Sequence, residues 1–89
     1  MRKTIGERVL LGANLHSEAV PGELLVEIYG ASRVFMENHK GVVLYTDHEI
    51  VVNSILGYIT ITGAELNITY ISETTLVVVG SINQISRED

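Results

Sequence analysis

The chain is 89 residues long, 46% hydrophobic and 19% charged, with a net charge of −5, a composition that describes one small domain with a single core and not a disordered or fibrous chain. It contains no cysteine and no tryptophan, which excludes a disulfide scaffold, a thiolate zinc site and a cysteine nucleophile together. Arg2, Lys3 and Arg8 against Glu7 give the first eight residues a local +2 and leave −7 on the rest, which argues against a nucleic-acid surface, since that needs a basic stripe to displace counterions.

No apolar run approaches the roughly 18–20 residues of a membrane span. Val9-Leu10-Leu11 is also too short for a secretory signal core. Residues 1–19 mix charges, two glycines and this short cluster without clean periodicity, and read as an N-terminal arm or a short helix over residues 7–11. Pro21-Gly22 marks a turn, and residues 20–89 read as a single β domain. Val, Ile and Thr make up 28 of the 89 residues, and β-branched side chains suit a pleated, half-buried surface.

From residue 23 onward the chain shows a soft repeat: an apolar run, a glycine, a few mixed residues and a large apolar residue. Val26–Tyr29 leads through Gly30 to Phe35, residues 59–62 lead through Gly63 to Ile68, and Leu76–Val79 leads through Gly80 to Ile85. A fourth unit, residues 42–45, has Thr46 in the glycine's place, so the markers 30, 46, 63 and 80 are 16, 17 and 17 apart. Ile59 and Ile61 are odd-numbered, whereas Leu66, Ile68 and Tyr70 are even-numbered. A period-2 strand changes phase only through an extra residue, so Gly63 predicts a bulge or bend, with Gly30 and Gly80 as its equivalents. Strands bent in this way can serve two packed sheets. The expected fold is all-β: a small antiparallel sandwich or roll of four long bent strands, with a β-solenoid as the alternative. The expected core is Val26, Ile28, Leu44, Ile50, Ile59, Ile61, Leu66, Ile68, Val78 and Ile82.

Glu37-Asn38-His39-Lys40-Gly41, followed by residues 42–46 and Asp47-His48-Glu49-Ile50, resembles the central signature of the YabP/YqfC family of sporulation proteins, most closely its YqfC branch. Gly57-Tyr58-Ile59-Thr60-Ile61-Thr62-Gly63 is similar to that family's Gly-x-apolar-x-Ile-x-Gly pattern, and Gly80, Ile82 and Ile85 fall where it places its last glycine and apolar residues. The resemblance covers roughly residues 20–86. It departs at the first strand, where similar proteins carry a proline beside the apolar pair; here Pro21 is the only proline. The resemblance implies a β-rich protein of endospore formation, made in the mother cell, with no assigned catalytic residues. It also implies a functional partnership with a co-encoded membrane protein of the YqfD type, and a location in the mother-cell cytoplasm or at the periphery of the forespore membrane.

The chemistry-bearing residues point the same way. Glu37, His39 and Asp47 could hold a divalent metal if a hairpin brought them together, but Asn38-His39-Lys40-Gly41 reads more simply as a structural turn with positive φ at Asn and Gly. The serines lie in no Gly-x-Ser-x-Gly elbow, and Asp47 and Glu49 share a strand face as a solvated acidic edge would. Neither cofactor nor catalysis is expected. Leu76-Val77-Val78-Val79 is strongly β-prone and uncharged, and reads either as an open edge for a partner strand or as a central core strand. The sequence therefore predicts a non-enzymatic interaction module docking a membrane-associated protein. A self-assembling spore-envelope subunit and a metal-binding accessory protein are the alternatives.

Overall fold

In the computed structural model, which describes residues 22–89, the β-branched density becomes six strands, and no helix forms among the described residues. These are β1 (Leu25–Tyr29), β2 (Arg33–Glu37), β3 (Val42–Tyr45), β4 (Glu49–Ser54), β5 (Gly57–Ile71) and β6 (Thr75–Glu88). The arm or helix expected over residues 1–19 lies outside the described residues. All pairings are antiparallel, in the spatial order β1-β2-β6-β5-β4-β3. The described residues are all-β, as expected, in one open sheet that is neither a closed barrel nor a solenoid.

The four repeat markers sit at four changes of direction, but of two kinds. Gly30 lies in the turn between β1 and β2, and Thr46 in the turn between β3 and β4. The first two units therefore close into hairpins where long bent strands were expected. Gly63 and Gly80 lie inside β5 and β6, whose pairing continues past them. The register shifts between Thr62 and Gly63 and again between Ala64 and Asn67, which moves the buried set from Ile59 and Ile61 to Leu66. The left-handed residue of this bulge is Glu65, at φ 55°, and not Gly63. Gly63 serves a different need. A Cβ built there would overlap the carbonyl oxygen of Ser81, and one on Gly80 would stand 2.6 Å from the carbonyl oxygen of Glu65. The two long strands cross at a distance that side chains would prevent.

The bends divide the sheet into two halves. One holds β1, β2, residues 75–79 of β6 and residues 67–71 of β5; the other holds β3, β4, residues 57–62 of β5 and residues 82–88 of β6. Val26, Val34, Met36, Leu76 and Val78 from the first half and Leu66 from the bend join Ile50, Val52, Ile59, Ile61 and Ile85 in one core. The β1–β2 and β3–β4 turns are each tied to one bend. Gly80 and Ile82 donate their N–H groups to Ser32 O and Ala31 O at 3.1 and 2.8 Å, and Gly63 and Leu66 donate to His48 O and Asp47 O at 3.1 and 2.7 Å.

Of the expected core, Val26, Ile50, Ile59, Ile61, Leu66 and Val78 are buried, and Ile28, Ile68 and Ile82 pack against them. Leu44 is a correction, being 40% exposed. A register shift between Val42 and Leu44 aligns Tyr45, and not Leu44, with the inward column of Ile50, Ile61 and Ile85. Leu76–Val79 is a second correction. This segment lies between β2 and β5 and has no open edge, because both of its sides are used in the ladder.

Candidate interaction surface

The Glu37–Gly41 stretch is a crossover and not a hairpin, because β2 and β3 belong to different halves of the sheet. Asn38 at φ 71° and Gly41 at φ 123° supply its two left-handed residues. Asn38 and His39 donate their N–H groups to Thr74 O at 2.6 and 3.3 Å, Lys40 N donates to Asn53 O at 2.7 Å, and the Asn38 amide donates to Glu23 O at 2.7 Å. His39 is 5% exposed. Its Nδ1 accepts from the Gly41 N–H at 3.0 Å, and its Nε2 lies 2.9 Å from Ser72 O. A backbone N–H only donates and a carbonyl only accepts, so the ring is held with its proton on Nε2. Both nitrogens are thereby engaged, and the imidazole ties the crossover to the β5–β6 turn. Glu37 and Lys40 face solvent. Among the described residues no three His, Asp or Glu side chains converge as metal ligands.

The second acidic group is equally local. His48 Nδ1 stands 3.0 Å from Asp47 Oδ1, and both side chains are open to solvent. Thr46 Oγ1 accepts from Glu49 N at 2.9 Å and donates to Glu49 O at 3.0 Å, which closes the β3–β4 turn. A hollow of about 540 Å³ beside the Gly63 bend is lined by His48, Glu49, Thr62, Gly63, Ala64, Ser81 and Asn83. The hydroxyls of Ser32, Ser54 and Ser72 are hydrogen-bonded to backbone groups. None forms the serine–base pair that nucleophilic catalysis uses.

A different feature is built by register. On the outward side of the first half, Glu27, Phe35, Val77 and Tyr70 stand in line across β1, β2, β6 and β5, beside a second line of Tyr29, Arg33, Val79 and Asn67. Their chain neighbours Val26, Val34, Met36, Leu76 and Val78 fill the core, so these residues face away from it. Phe35, Val77 and Val79 are half-buried and Tyr70 is 55% exposed. At one end the Arg33 guanidinium lies 4.8 Å from the centre of the Tyr29 ring, and the Tyr29 hydroxyl donates to Glu27 at 2.5 Å. That hydrogen bond to the Glu27 carboxylate holds the Tyr29 pKa above the usual tyrosine value, with smaller contributions from desolvation and the Glu27 charge, and Arg33 opposes it. An apolar centre with aromatic and arginine neighbours at a polar rim is the anatomy of a protein interface. Sequence reasoning missed this surface. Its signal was the absence of any polar alternation in Leu76–Val79, which marks a central strand with an apolar outward face.

The open strand edges complete the surface. Among the described residues, the edges without a ladder partner are β1, β3, residues 67–71 of β5 on the side away from β6, and residues 82–88 of β6 on the side away from β5. Tyr45 bridges two of them: its hydroxyl donates to Asn67 Oδ1 at 2.8 Å and accepts the Ile68 N–H at 2.9 Å.

Six antiparallel strands in one open sheet, with no helix among the described residues, define a small all-β fold. The YabP family model matches residues 22–89, and the chain belongs to that family, which is associated with sporulation and is not a known enzyme family. Comparisons with curated proteins and with solved structures each found no match. Among the described residues no helix is long and apolar enough to cross a membrane.

Proposed function

We propose that this protein is a non-catalytic interaction module of endospore formation, of the YqfC type, that docks a membrane-associated protein in the mother cell. The observation that supports this reading is the register-aligned outward stripe of Phe35, Val77, Val79 and Tyr70, rimmed by Glu27, Tyr29 and Arg33. Such a face gains from burial against a partner, at roughly 25 cal/mol per Å² of apolar surface removed from water. The partner that the family resemblance implies is a co-encoded membrane protein of the YqfD type. Arg2, Lys3 and Arg8 would add about 1 kcal/mol each near an anionic leaflet, enough to assist docking and too little to anchor the chain alone.

The test is a binding assay between the full chain and the soluble region of that membrane protein. Val77→Lys and Tyr70→Ala, each verified as folded by circular dichroism, should weaken binding by about tenfold or more, since central aromatic and apolar contacts carry most interface energy. Ile55→Asp, in the β4–β5 turn, should bind as the unsubstituted chain does. No binding by the unsubstituted chain, or equal binding by all four proteins, rejects the reading.

A further inference from the structure

We infer that two copies of this chain pair through β3, antiparallel about a two-fold axis, to form a closed dimer with a sheet continuous across the junction. β3 ends the strand order, with only β4 beside it among the described residues. Val43, Leu44 and Tyr45 are 56%, 40% and 48% exposed. The strand carries no charge and no proline, so two of the devices that blunt an open edge are missing from it.

The residues bracketing each open edge decide which one accepts a second copy. β1 carries Glu27 at its centre, so an antiparallel copy would set Glu27 against Glu27. Residues 67–71 of β5 lie between Glu65 and Glu73, so a two-fold pairing there opposes Glu65 of one copy to Glu73 of the other. The Ile68 N–H on that edge is also already bonded to Tyr45. The outer part of β6 has its charges at one end, Arg87, Glu88 and Asp89, and a two-fold pairing lays them against uncharged residues. β3 is bracketed by opposite charges, Lys40 before it and Asp47 after it, both exposed.

A two-fold pairing centred between Val43 and Leu44 brings Lys40 of each copy to Asp47 of the other, twice per dimer. A parallel pairing would set lysine on lysine and aspartate on aspartate. The charges thus select the antiparallel arrangement, as opposite-charge cross-strand pairs favour register and like pairs oppose it. Because the contact is isologous, one pairing uses up the edge and growth stops at two copies. The bulge between Val42 and Leu44 keeps the paired segment short, so the association is a weak one. This inference is independent of the docking face, which lies on the other half of the sheet.

Sedimentation equilibrium of the full chain from ~1 μM to ~1 mM, a span covering roughly 4 kcal/mol of association free energy, reads the result directly. A monomer–dimer equilibrium is expected. Lys40→Glu or Asp47→Lys alone should raise the dissociation constant about tenfold, because two contacts per dimer become repulsive. The double variant Lys40→Glu/Asp47→Lys should return it to near the original value. Val43→Lys should abolish the dimer with its melting curve unchanged. A monomer at every concentration, growth beyond the dimer, or failure of the double variant to restore association overturns the inference. All of these measurements are made without the membrane-associated partner, so they stand or fall apart from the docking assay.

Discussion

At Gly63 the backbone lies outside the left-handed region, yet a Cβ would run into the Ser81 carbonyl; at Gly30 the backbone is left-handed, at φ 61°, with open space around it. The two glycines are therefore needed for different reasons, and their substitutions separate. Gly63→Ala should lower unfolding free energy by about 3 kcal/mol or more, whereas Gly30→Ala should cost about 1–2 kcal/mol for the left-handed conformation alone. Equal losses in urea denaturation would mean that the crossing of β5 and β6 relaxes freely. His39→Ala strands Ser72 O and the Gly41 N–H where the ring now satisfies them, and should cost about 2–4 kcal/mol. Added zinc should leave the melting temperature unchanged, since both ring nitrogens are engaged; a concentration-dependent rise would reject the bracing role. Tyr29 holds its proton beyond the usual tyrosine range because it donates to Glu27. The folded state thus binds this proton more tightly than the unfolded chain. The contribution is complete below the ordinary tyrosine pKa and is lost as pH rises through the raised value. In Glu27→Gln the Tyr29 phenol should ionise at lower pH than in the unsubstituted chain, as followed by phenolate absorbance.

Among the elements, β6 is the member whose role the tertiary pairing changes most. A proline at Val78 would leave an edge strand nearly intact, but Val78 is buried and paired with both Val34 and Ile68. Val78→Pro should therefore abolish cooperative unfolding, since it deletes a central ladder bond as well as a core side chain. A Val78→Pro chain that melts normally would return Leu76–Val79 to the edge. Ile61→Ala, in the buried half of β5, should cost about 2–5 kcal/mol, whereas Ile55→Ala, 67% exposed in the β4–β5 turn, should stay within about 0.5 kcal/mol. The phase change of β5 was legible because Ile59, Ile61, Leu66 and Ile68 print it in their numbering. The bulge of β3 was not, because Val42, Val43, Leu44 and Tyr45 are all apolar and carry no phase to read.

For the whole molecule, the β3 edge and the outward stripe lie on different halves of the sheet. A dimer would thus carry two docking faces at once. On a surface densely coated with the membrane partner's soluble region, the chain should bind more tightly than it binds the same region free in solution, by a factor on the order of 10 to 100. Lys40→Glu should remove that difference and leave the solution affinity unchanged. Loss of both affinities together would place Lys40 within the docking face and reject the separation of the two surfaces.

Local pattern was enough to determine that the described residues are all-β, that the long strands shift register beside Gly63 and Gly80, that Asn38 and Gly41 take left-handed conformations, and that the signature is that of a sporulation family. Each of these rests on a few neighbouring residues: β-branched density, the parity of apolar positions, the φ tolerance of Asn and Gly, and the order of a short motif. Only the tertiary structure decided that Gly30 and Thr46 close hairpins while Gly63 and Gly80 bend continuous strands, since all four carry the same local repeat. It alone decided that Glu37–Gly41 crosses between sheet halves, that His39 engages both nitrogens with backbone groups, and that Leu76–Val79 is central while β3 ends the order of the described strands. The physical reason is that a strand's two edges are chemically alike along the chain. What meets each edge depends on which distant segment returns to it, and in this fold the last strand returns to the second.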